Sequence, residues 1–405
     1  MRKKPAPSSV LSLLSFCLLA AALISLTLLL LLPARRASQL HPFASSAPPF
    51  SLDPPALPAP LLNALPGERL AFSTVARTLA SRTELLCAGP SCVGQRFFFV
   101  DQHRSSSDGI LSYLMRTELE VQEVFATVLA SDRCDGVLRG GATPWCAHQP
   151  RKEGSPPLPP PVVMDVGSNA GFYSLLAASM GARVVAVDPQ PHCVQYLRAA
   201  AQLSGLAGRV RVLNAFAGGG GEAGGGDAPT PVPLRSGCWG TYPLVDAQQE
   251  ASTRAEYHAL PGGRGAAAVP SLPLPALVRE LSALGAPGEG VLLLKMDVEG
   301  AEDSLVAALD ESGVLGERLV KNFLLELNQR AVSGAYGGSA CAQDLPACYE
   351  RLMQRFLSAG YVPLVARRRN QTWASQAPIA SAAQFARGGL GRWHVVDLWL
   401  YLPRP

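Results

Sequence analysis

Two segments of this sequence combine carboxylates with glycines, and each follows a short apolar run. The first reads Asp165-Val166-Gly167-Ser168-Asn169-Ala170-Gly171, and the second reads Lys295-Met296-Asp297-Val298-Glu299-Gly300-Ala301-Glu302. Glycines let a backbone pass close to a ligand, and carboxylates can accept a proton during a reaction. We therefore expect a ligand-binding loop at the first segment and proton-accepting chemistry at the second.

The first segment has the context of a nucleotide-binding loop, since it follows a predicted strand and opens a predicted helix with unpaired N–H groups. Asp188 ends the next predicted strand, about 20 residues on, where a carboxylate can bind both hydroxyls of a ribose. The loop lacks the second glycine that admits a pyrophosphate, and Asp165 would repel one, so a dinucleotide is disfavoured. A cationic or amino-acid group suits Asp165 better. A turn that binds no ligand remains the alternative.

The second segment is predicted to lie at the carboxyl edge of a parallel sheet, where open α/β folds bind their ligands. Ordinary helix capping is the alternative, because the helix dipole favours acids in a first turn. Capping suits Glu302 better than it suits Asp297.

Alternating strands and helices must position these two segments. Strands are predicted at 162–166, 183–187, 210–213, 291–296, 322–327, 361–366 and 393–402, and helices at 171–180, 191–203, 300–309 and 345–359. This order predicts a doubly wound α/β sheet. Residues 217–290 are rich in glycine and proline and are interpreted as a long insertion, flexible in parts, between the third and fourth strands. A further helix is predicted within 110–129.

The segments DVGSNAGFYS, VVAVDPQP and KMDVEGAE together resemble the FkbM-type S-adenosylmethionine-dependent methyltransferases, a class I group. The resemblance covers roughly residues 160–330 and, more weakly, the end of the chain. It implies a Rossmann-like sheet of seven strands with an antiparallel final strand. It also implies the cofactor S-adenosylmethionine and methyl transfer to an oxygen, often of a sugar.

The same resemblance assigns site residues by position. It implies cofactor-binding residues at Asp165, Gly167, Asn169, Gly171, Asp188 and Asn214. Asp188 would bind the ribose and Asn214 would lie near the adenine, with main-chain contacts from Leu213 or Ala215 as the alternative. Asp297 and Glu299 would face the methyl group and its acceptor. Glu326 resembles an acidic residue of the family on the next strand. The usual acidic pair before the fourth strand is absent, so acceptor recognition is not transferred.

A hydroxyl acceptor has a pKa far above 7 and needs a base or a metal to take its proton during attack. Asp297 and Glu299 are the candidate catalytic residues, and His258 and His394 are alternative bases. No metal site is predicted because no ligand set is visible. Binding of a divalent ion by Asp297 and Glu326 is the alternative.

The N-terminal part has the composition of a membrane anchor. Residues 10–32 carry no charge, and as a helix they would reach about 34 Å, enough to cross a bilayer core of about 30 Å. The chain then divides into a cytosolic tail (1–9), the transmembrane anchor (10–32), a proline-rich stalk (33–66), a mixed helical lead-in (67–160) and a methyltransferase domain (161–405). A cleaved signal or a plastid transit peptide remains open, since no acidic residue precedes Asp53.

The distribution of charge along the chain limits the kinds of partner that we expect. The chain has 35 Lys and Arg against 31 Asp and Glu, and five of the basic residues precede residue 37. The near-neutral remainder argues against nucleic-acid binding. We expect a type II membrane protein of the Golgi or endoplasmic reticulum with a lumenal catalytic domain, acting on a glycan or another hydroxyl-bearing acceptor. A lipid or small-metabolite methyltransferase and a non-catalytic binding module are the alternatives.

Cysteine usage fits an oxidising compartment. Of nine cysteines, only Cys17 lies in the apolar run, and the even remainder favours disulfides. Cys87 with Cys92 and Cys341 with Cys348 are the expected pairs. Free buried thiols are the alternative, and Cys193, in a predicted core helix, is the best candidate for one.

Overall fold

The computed structural model describes residues 85–86, 96–97, 99, 118–129, 144–147, 159–218, 229–233, 238, 266–284, 290–328, 344–366, 378–388 and 395–404. The chain divides into two units, Met1–Pro48 and Pro49–Pro405, and every described residue belongs to the second. The predicted tail, anchor and stalk, together with His258 and His394, lie outside the described residues. Within the described ranges, no helix is long and apolar enough to cross a membrane.

The elements alternate as the sequence predicts. The described strands are β1 (Leu85–Leu86), β2 (Arg96–Phe97), β3 (Val162–Val166), β4 (Arg183–Asp188), β5 (Val210–Asn214), β6 (Phe216–Gly218), β7 (Thr230–Pro233), β8 (Ala266–Val269), β9 (Ser271–Pro273), β10 (Val291–Met296), β11 (Val320–Asn328), β12 (Val362–Ala366) and β13 (Val395–Tyr401). The described helices are α1 (Leu119–Leu129), α2 (Phe172–Ser179), α3 (Pro191–Leu203), α4 (Leu274–Ser282), α5 (Glu302–Glu311), α6 (Leu345–Ser358) and α7 (Ala382–Gly388).

Seven of these strands form one sheet, in the spatial order β12-β13-β11-β10-β3-β4-β5. The strands from β11 to β5 run parallel, whereas β13 is antiparallel to both β11 and β12. The order is that of a doubly wound sheet with one antiparallel strand inserted near an edge. The predicted Rossmann-like seven-stranded sheet with an antiparallel final strand, as in class I methyltransferases, is confirmed.

Helices cover both faces of the sheet, which explains why its central strands are apolar along their whole length. All five residues of β3 are buried. Side chains of α1, α2 and α3 pack in one hydrophobic cluster with Val163 and Leu293, and those of α4, α5 and α6 pack in a second cluster with Met164 and Leu294. The lead-in helix α1 is therefore part of the same core as the sheet.

Helix starts follow the backbone geometry of the preceding residues. Helix α3 spans the predicted residues and has Pro191 in its first turn, a favoured position for proline. Helix α5 begins at Glu302, two residues later than predicted, because Glu299 and Gly300 have φ values of 53° and 108°. Such left-handed residues cannot belong to an α-helix.

The predicted insertion contains ordered pieces. Strand β6 pairs in parallel with β9, and β7 pairs antiparallel with β8. Helix α4 follows β9 directly and buries Leu277, Val278 and Leu281. It is the crossover helix that returns the chain to β10, so the regular strand–helix alternation resumes before residue 290.

The segment 144–147 also joins the sheet. The Asn322 side-chain amide donates to the Trp145 carbonyl at 3.0 Å and to the Leu292 carbonyl at 2.9 Å, and its Oδ1 accepts from Trp399 Nε1 at 3.2 Å. Pro144 forms a bridge to Pro403. These bonds attach the lead-in segment to strands β10, β11 and β13.

Candidate active site

An open pocket of about 670 Å³, measured with its mouth, lies at the carboxyl ends of β3, β4 and β10. This is the edge at which doubly wound sheets bind ligands. Six lining residues matter for the chemistry: Gly167, Asn169, Asp188, Ala215, Asp297 and Glu299. Five of them are site residues that the sequence predicts.

The loop after β3 is shaped by glycine. Gly167 has φ 75°, and a Cβ atom at that position would overlap the Asp297 carbonyl oxygen. Gly171 has φ 87° and lies against Leu197. Only glycine permits both the backbone conformation and the close approach of the two loops. The pocket floor therefore depends on Gly167, and the start of α2 on Gly171.

Asp188 closes this loop from the end of β4. Its Oδ2 accepts from the Asn169 N–H and its Oδ1 accepts from the Gln190 N–H, both at 2.8 Å. Burial raises the pKa of Asp188 to about 7, although both backbone bonds lower it. A carboxylate in this state gains charge between pH 6 and 8, so hydrogen bonding to a ligand hydroxyl should strengthen as the pH rises through that range.

Three predicted cofactor residues do not line the pocket. The Asn214 side chain donates to the Asp188 carbonyl at 2.9 Å, while its neighbours Ala215 and Phe216 provide the wall. Asp165 is 1% exposed and accepts from Ser174 Oγ at 2.6 Å. Together with Gly171, Asn214 and Asp165 support the residues that form the surface of the pocket.

The loop after β10 is closed by a second buried carboxylate. Glu302 accepts from the Val298 N–H at 3.1 Å and from the Gly300 N–H at 3.0 Å. Burial raises the pKa of Glu302 to about 7 against the effect of these bonds. The side chain is 1% exposed and does not line the pocket. Glu302 stands in the first turn of α5 but makes no capping bond there; it closes the preceding loop instead, while Asp297 and Glu299 line the pocket.

Lys295 connects the two sides of the site. Its Nζ lies 3.3 Å from Asp297 Oδ2 and 3.8 Å from Asp165 Oδ1, under the ring of Tyr173 at 5.3 Å. Burial opposes the charge of Lys295, but Asp297 and Asp165 outweigh it and raise the pKa above its usual value. Asp297 therefore faces the pocket beside a permanent cation, which holds its carboxylate in place.

A second polar group lies beyond Asp297, towards β13. Tyr173 donates to Glu118 Oε2 at 2.5 Å, and Glu326 stands opposite Asp397 in the β11–β13 register. Burial raises the pKa of Glu326 well above its usual value, and the charges of Asp297 and Asp397 add to this effect. Asp397 could have been noticed in the sequence, because it is an acidic residue within the apolar run of β13. Glu118, which immediately precedes α1, had no such signal.

A metal centre is not apparent in the described parts of the chain. No group of three or more His, Cys, Asp and Glu side chains there is placed to hold a metal ion. Lys295 is a cation beside Asp297.

Cys193, the best candidate for a free buried thiol, is disulfide-bonded instead. Cys193 in α3 forms a disulfide with Cys238 of the glycine-rich insertion. The insertion returns to the core at this point, and sequence spacing does not reveal such a return. Cys146 and Cys348 are also disulfide-bonded, with partners outside the described residues. The expected pairs Cys87–Cys92 and Cys341–Cys348 therefore stay predictions.

The pocket chemistry fits S-adenosylmethionine. Asp188 offers a carboxylate to ribose hydroxyls, Ala215 and Phe216 offer main chain and an apolar wall for a base, and Asp297 and Glu299 offer negative charge to a sulfonium. The absence of a side chain at Gly167 lets the loops that carry these groups approach each other.

No family model and no curated protein sequence matches the chain. Among solved structures, it is similar to a human methyltransferase 10 domain-containing protein, with 11% identity, 64% of this chain and 77% of that chain covered, and a TM-score of 0.30. It is similar to precorrin-6y C5,15-methyltransferase from Geobacter metallireducens (11%, 75% and 94%, 0.28) and to the Methanococcus jannaschii fibrillarin pre-rRNA processing protein (10%, 61% and 68%, 0.29). The assignment of a methyltransferase-like fold rests on the strand order and polarity of the central sheet.

Proposed function

We propose that this chain is an S-adenosylmethionine-dependent O-methyltransferase of the FkbM type that acts on a hydroxyl group of a glycan or glycoconjugate. One observation carries the proposal: Asp188 at the end of β4 and Asp297 after β10 face a single pocket at the carboxyl edge of the sheet. The first carboxylate suits a ribose and the second suits an acceptor proton.

The roles of the residues follow from their positions. The bound cofactor supplies a methyl group that is already activated by the sulfonium. Asp188 accepts hydrogen bonds from the ribose, while Gly167 lets the loop after β3 lie against the loop that carries Asp297. Asp297, oriented by Lys295 at 3.3 Å, accepts the proton of the attacking hydroxyl. Positioning of the two reactants supplies much of the rate in such a transfer.

The charges around Asp297 favour a neutral acceptor. The charges of Asp297, Asp397 and Glu118 raise the pKa of Glu326, and the charge of Lys295 lowers it. Carboxylates accept hydrogen bonds from sugar hydroxyls but repel phosphate and carboxylate groups. This arrangement supports a hydroxyl-rich neutral acceptor and opposes nucleic acid.

The proposed location is the lumen of the Golgi or endoplasmic reticulum, with residues 10–32 as the anchor. The Cys193–Cys238 disulfide and the bonded state of Cys146 and Cys348 support an oxidising compartment. The location is tested by protease protection of the chain in sealed microsomes. Protection of the catalytic part supports a lumenal site, and import into plastids instead would overturn it.

The function is tested with the full chain in detergent micelles. Calorimetry should show binding of S-adenosylhomocysteine and none of NAD. Incubation with methyl-labelled S-adenosylmethionine and panels of neutral glycans, phosphorylated glycans and lipids should label a neutral glycan. Absence of S-adenosylhomocysteine binding would overturn the enzyme assignment, and labelling of lipids alone would overturn the acceptor class.

A further inference from the structure

The Cys193–Cys238 disulfide lies beside the candidate cofactor loop. Cys193 belongs to α3, and Cys238 is 45 positions later, in the glycine-rich insertion. Both residues are buried, with exposures of 0% and 5%. The bond thus brings one point of the insertion into the core next to the pocket.

Both sulfur atoms of the disulfide lie close to the side-chain oxygen of Asn169. Cys238 Sγ lies 2.6 Å from Asn169 Oδ1, and Cys193 Sγ lies 4.0 Å from the same oxygen. That oxygen also accepts from the Ala170 N–H at 2.7 Å. Since a disulfide sulfur carries no proton to donate, these are packing contacts, and they confine the Asn169 side chain between the disulfide and its own backbone.

Asn169 has a left-handed backbone conformation, with φ 52°. Asparagine adopts this region more readily than most non-glycine residues, but the extended and right-handed regions are also open to it, so packing around its side chain helps to select the observed conformation. In this conformation the Asn169 N–H donates to Asp188 Oδ2 at 2.8 Å. The orientation of Asp188 in the pocket thus depends on the conformation of Asn169.

We propose that the Cys193–Cys238 disulfide is a positioning element of the cofactor site. It holds Asn169 in its left-handed conformation and thereby aims the Asn169 N–H at Asp188. The two cysteines do not line the pocket, so they act through Asn169. This inference rests on the proposed function, because the ligand of the pocket is taken to be S-adenosylmethionine.

A bond that only stabilises the fold predicts a different result. Disulfides stabilise proteins largely by restricting the unfolded chain, and removing such a bond lowers the melting temperature without changing the ligand affinity of the folded protein. A positioning bond changes the affinity as well. Ligand affinity below the melting transition therefore separates the two roles.

The experiment compares full-length wild type with Cys193→Ala/Cys238→Ala, and with Cys348→Ser as the matched control. The control breaks a disulfide of the buried residue Cys348 in α6, away from the pocket. Circular dichroism selects a temperature at which all three are folded, and calorimetry measures Kd for S-adenosylhomocysteine. We expect the paired alanine variant to raise Kd at least fivefold and the control to raise it less than twofold.

A double-mutant cycle with Asn169→Ala tests the route of the effect. If the disulfide acts through Asn169, adding Asn169→Ala to the paired alanine variant raises Kd much less than it does in wild type. Additive effects would overturn the route through Asn169. Wild-type Kd in the paired alanine variant would overturn the proposal alone, whereas absence of binding in wild type would overturn the proposed function with it.

Reduction provides a second comparison if the alanine pair does not fold. Dithiothreitol converts the cystine to two thiols and becomes its own cyclic disulfide, and mass spectrometry identifies Cys193 and Cys238 as reduced. The expected result is a Kd at least five times that of the oxidised protein, reversed on reoxidation. An unchanged Kd in protein reduced at this bond would overturn the proposal.

Discussion

Each of the two loops at the carboxyl edge of the sheet is closed by a buried carboxylate, but only one of these carboxylates lines the pocket. Asp188 closes the loop after β3, and Glu302 closes the loop after β10, each as a buried carboxylate that accepts backbone N–H bonds. Burial raises the pKa of each to about 7. Asp188 lines the pocket and Glu302 does not.

The difference shows that burial and a shifted pKa do not by themselves identify a functional carboxylate. Both groups are nearly inaccessible, at 3% and 1% exposure. They differ in that the Asp188 side chain lines the pocket and the Glu302 side chain does not. Asp188 should therefore affect ligand binding, while Glu302 should affect the stability of its loop.

The largest effect is expected at Asp297, on the pocket side of the loop that Glu302 closes. Asp297→Asn keeps the shape of the side chain but cannot accept a proton, so turnover should fall by about 10²–10⁴-fold. Affinity for S-adenosylhomocysteine should stay nearly unchanged. Methyl-transfer assays and calorimetry measure both, with Asp310→Asn, a carboxylate on α5 paired with Arg355, as a control without effect. Wild-type turnover in Asp297→Asn would move the role of base to Glu299.

Gly167→Ala tests how closely the two loops depend on each other. The new Cβ would meet the Asp297 carbonyl and the φ of 75° would be strained, so we expect a loss of about 3 kcal/mol in the free energy of unfolding. Gly205→Ala is the control, because it has φ 68° but no atom within 4 Å, and should lose only about 1 kcal/mol. Equal losses in urea denaturation would mean that the loops do not restrict each other.

Glu302→Gln tests the loop carboxylate that does not reach the pocket. A pKa raised from 4.5 to about 7 means that the folded state binds the proton more tightly. The stability that protonation contributes is present at low pH and is lost as the pH rises from about 4.5 to about 7. Between pH 4 and 8, wild type should lose about 3 kcal/mol relative to Glu302→Gln, measured by urea denaturation at both pH values. Parallel pH profiles would contradict this.

Asp188→Ala tests the loop carboxylate that does reach the pocket. Hydrogen bonds to a charged acceptor contribute about 1.5–3 kcal/mol, so Kd for S-adenosylhomocysteine should rise about ten- to a hundredfold. In wild type the affinity should increase with pH through about 7, and this increase should be absent in the variant. Calorimetry between pH 6 and 8 measures both effects. Glu302→Gln should leave Kd within twofold, and a larger change would remove the distinction between the carboxylates.

The sheet was predictable because its strands are buried on both faces. Continuous apolar runs such as 162–166 and 291–296, placed between helices, are typical of parallel strands that are covered on both faces. The helix 191–203 was predicted to the residue, since Pro191 marks its first turn. The small pairs β6–β9 and β7–β8 were missed because their strands have three or four residues and pair across long separations.

The site residues were predictable where a residue type suited to ligand binding or catalysis directly follows a predicted strand. Gly167 and Asp297 lie in loops that follow strands, so their approach at one edge followed from the fold. The burial of Asp165 did not follow, because it requires Ser174 and Lys295 as partners from α2 and β10. The Cys193–Cys238 bond did not follow either, because no local pattern records where an insertion returns to the core.

The bonds of the Asn322 amide determine where the chain can be shortened without loss of its core. A protein shortened to residues 161–405 would lose the Trp145 carbonyl that this amide binds and the indole ring that lies 5.0 Å from Lys321 Nζ. It would also lose α1, which buries Val124, Phe125 and Val128 against the sheet. Phe97 and Phe99 belong to the same core, so the smallest fragment that retains it begins before residue 97, and inactivity of a shorter fragment would not test the proposed function.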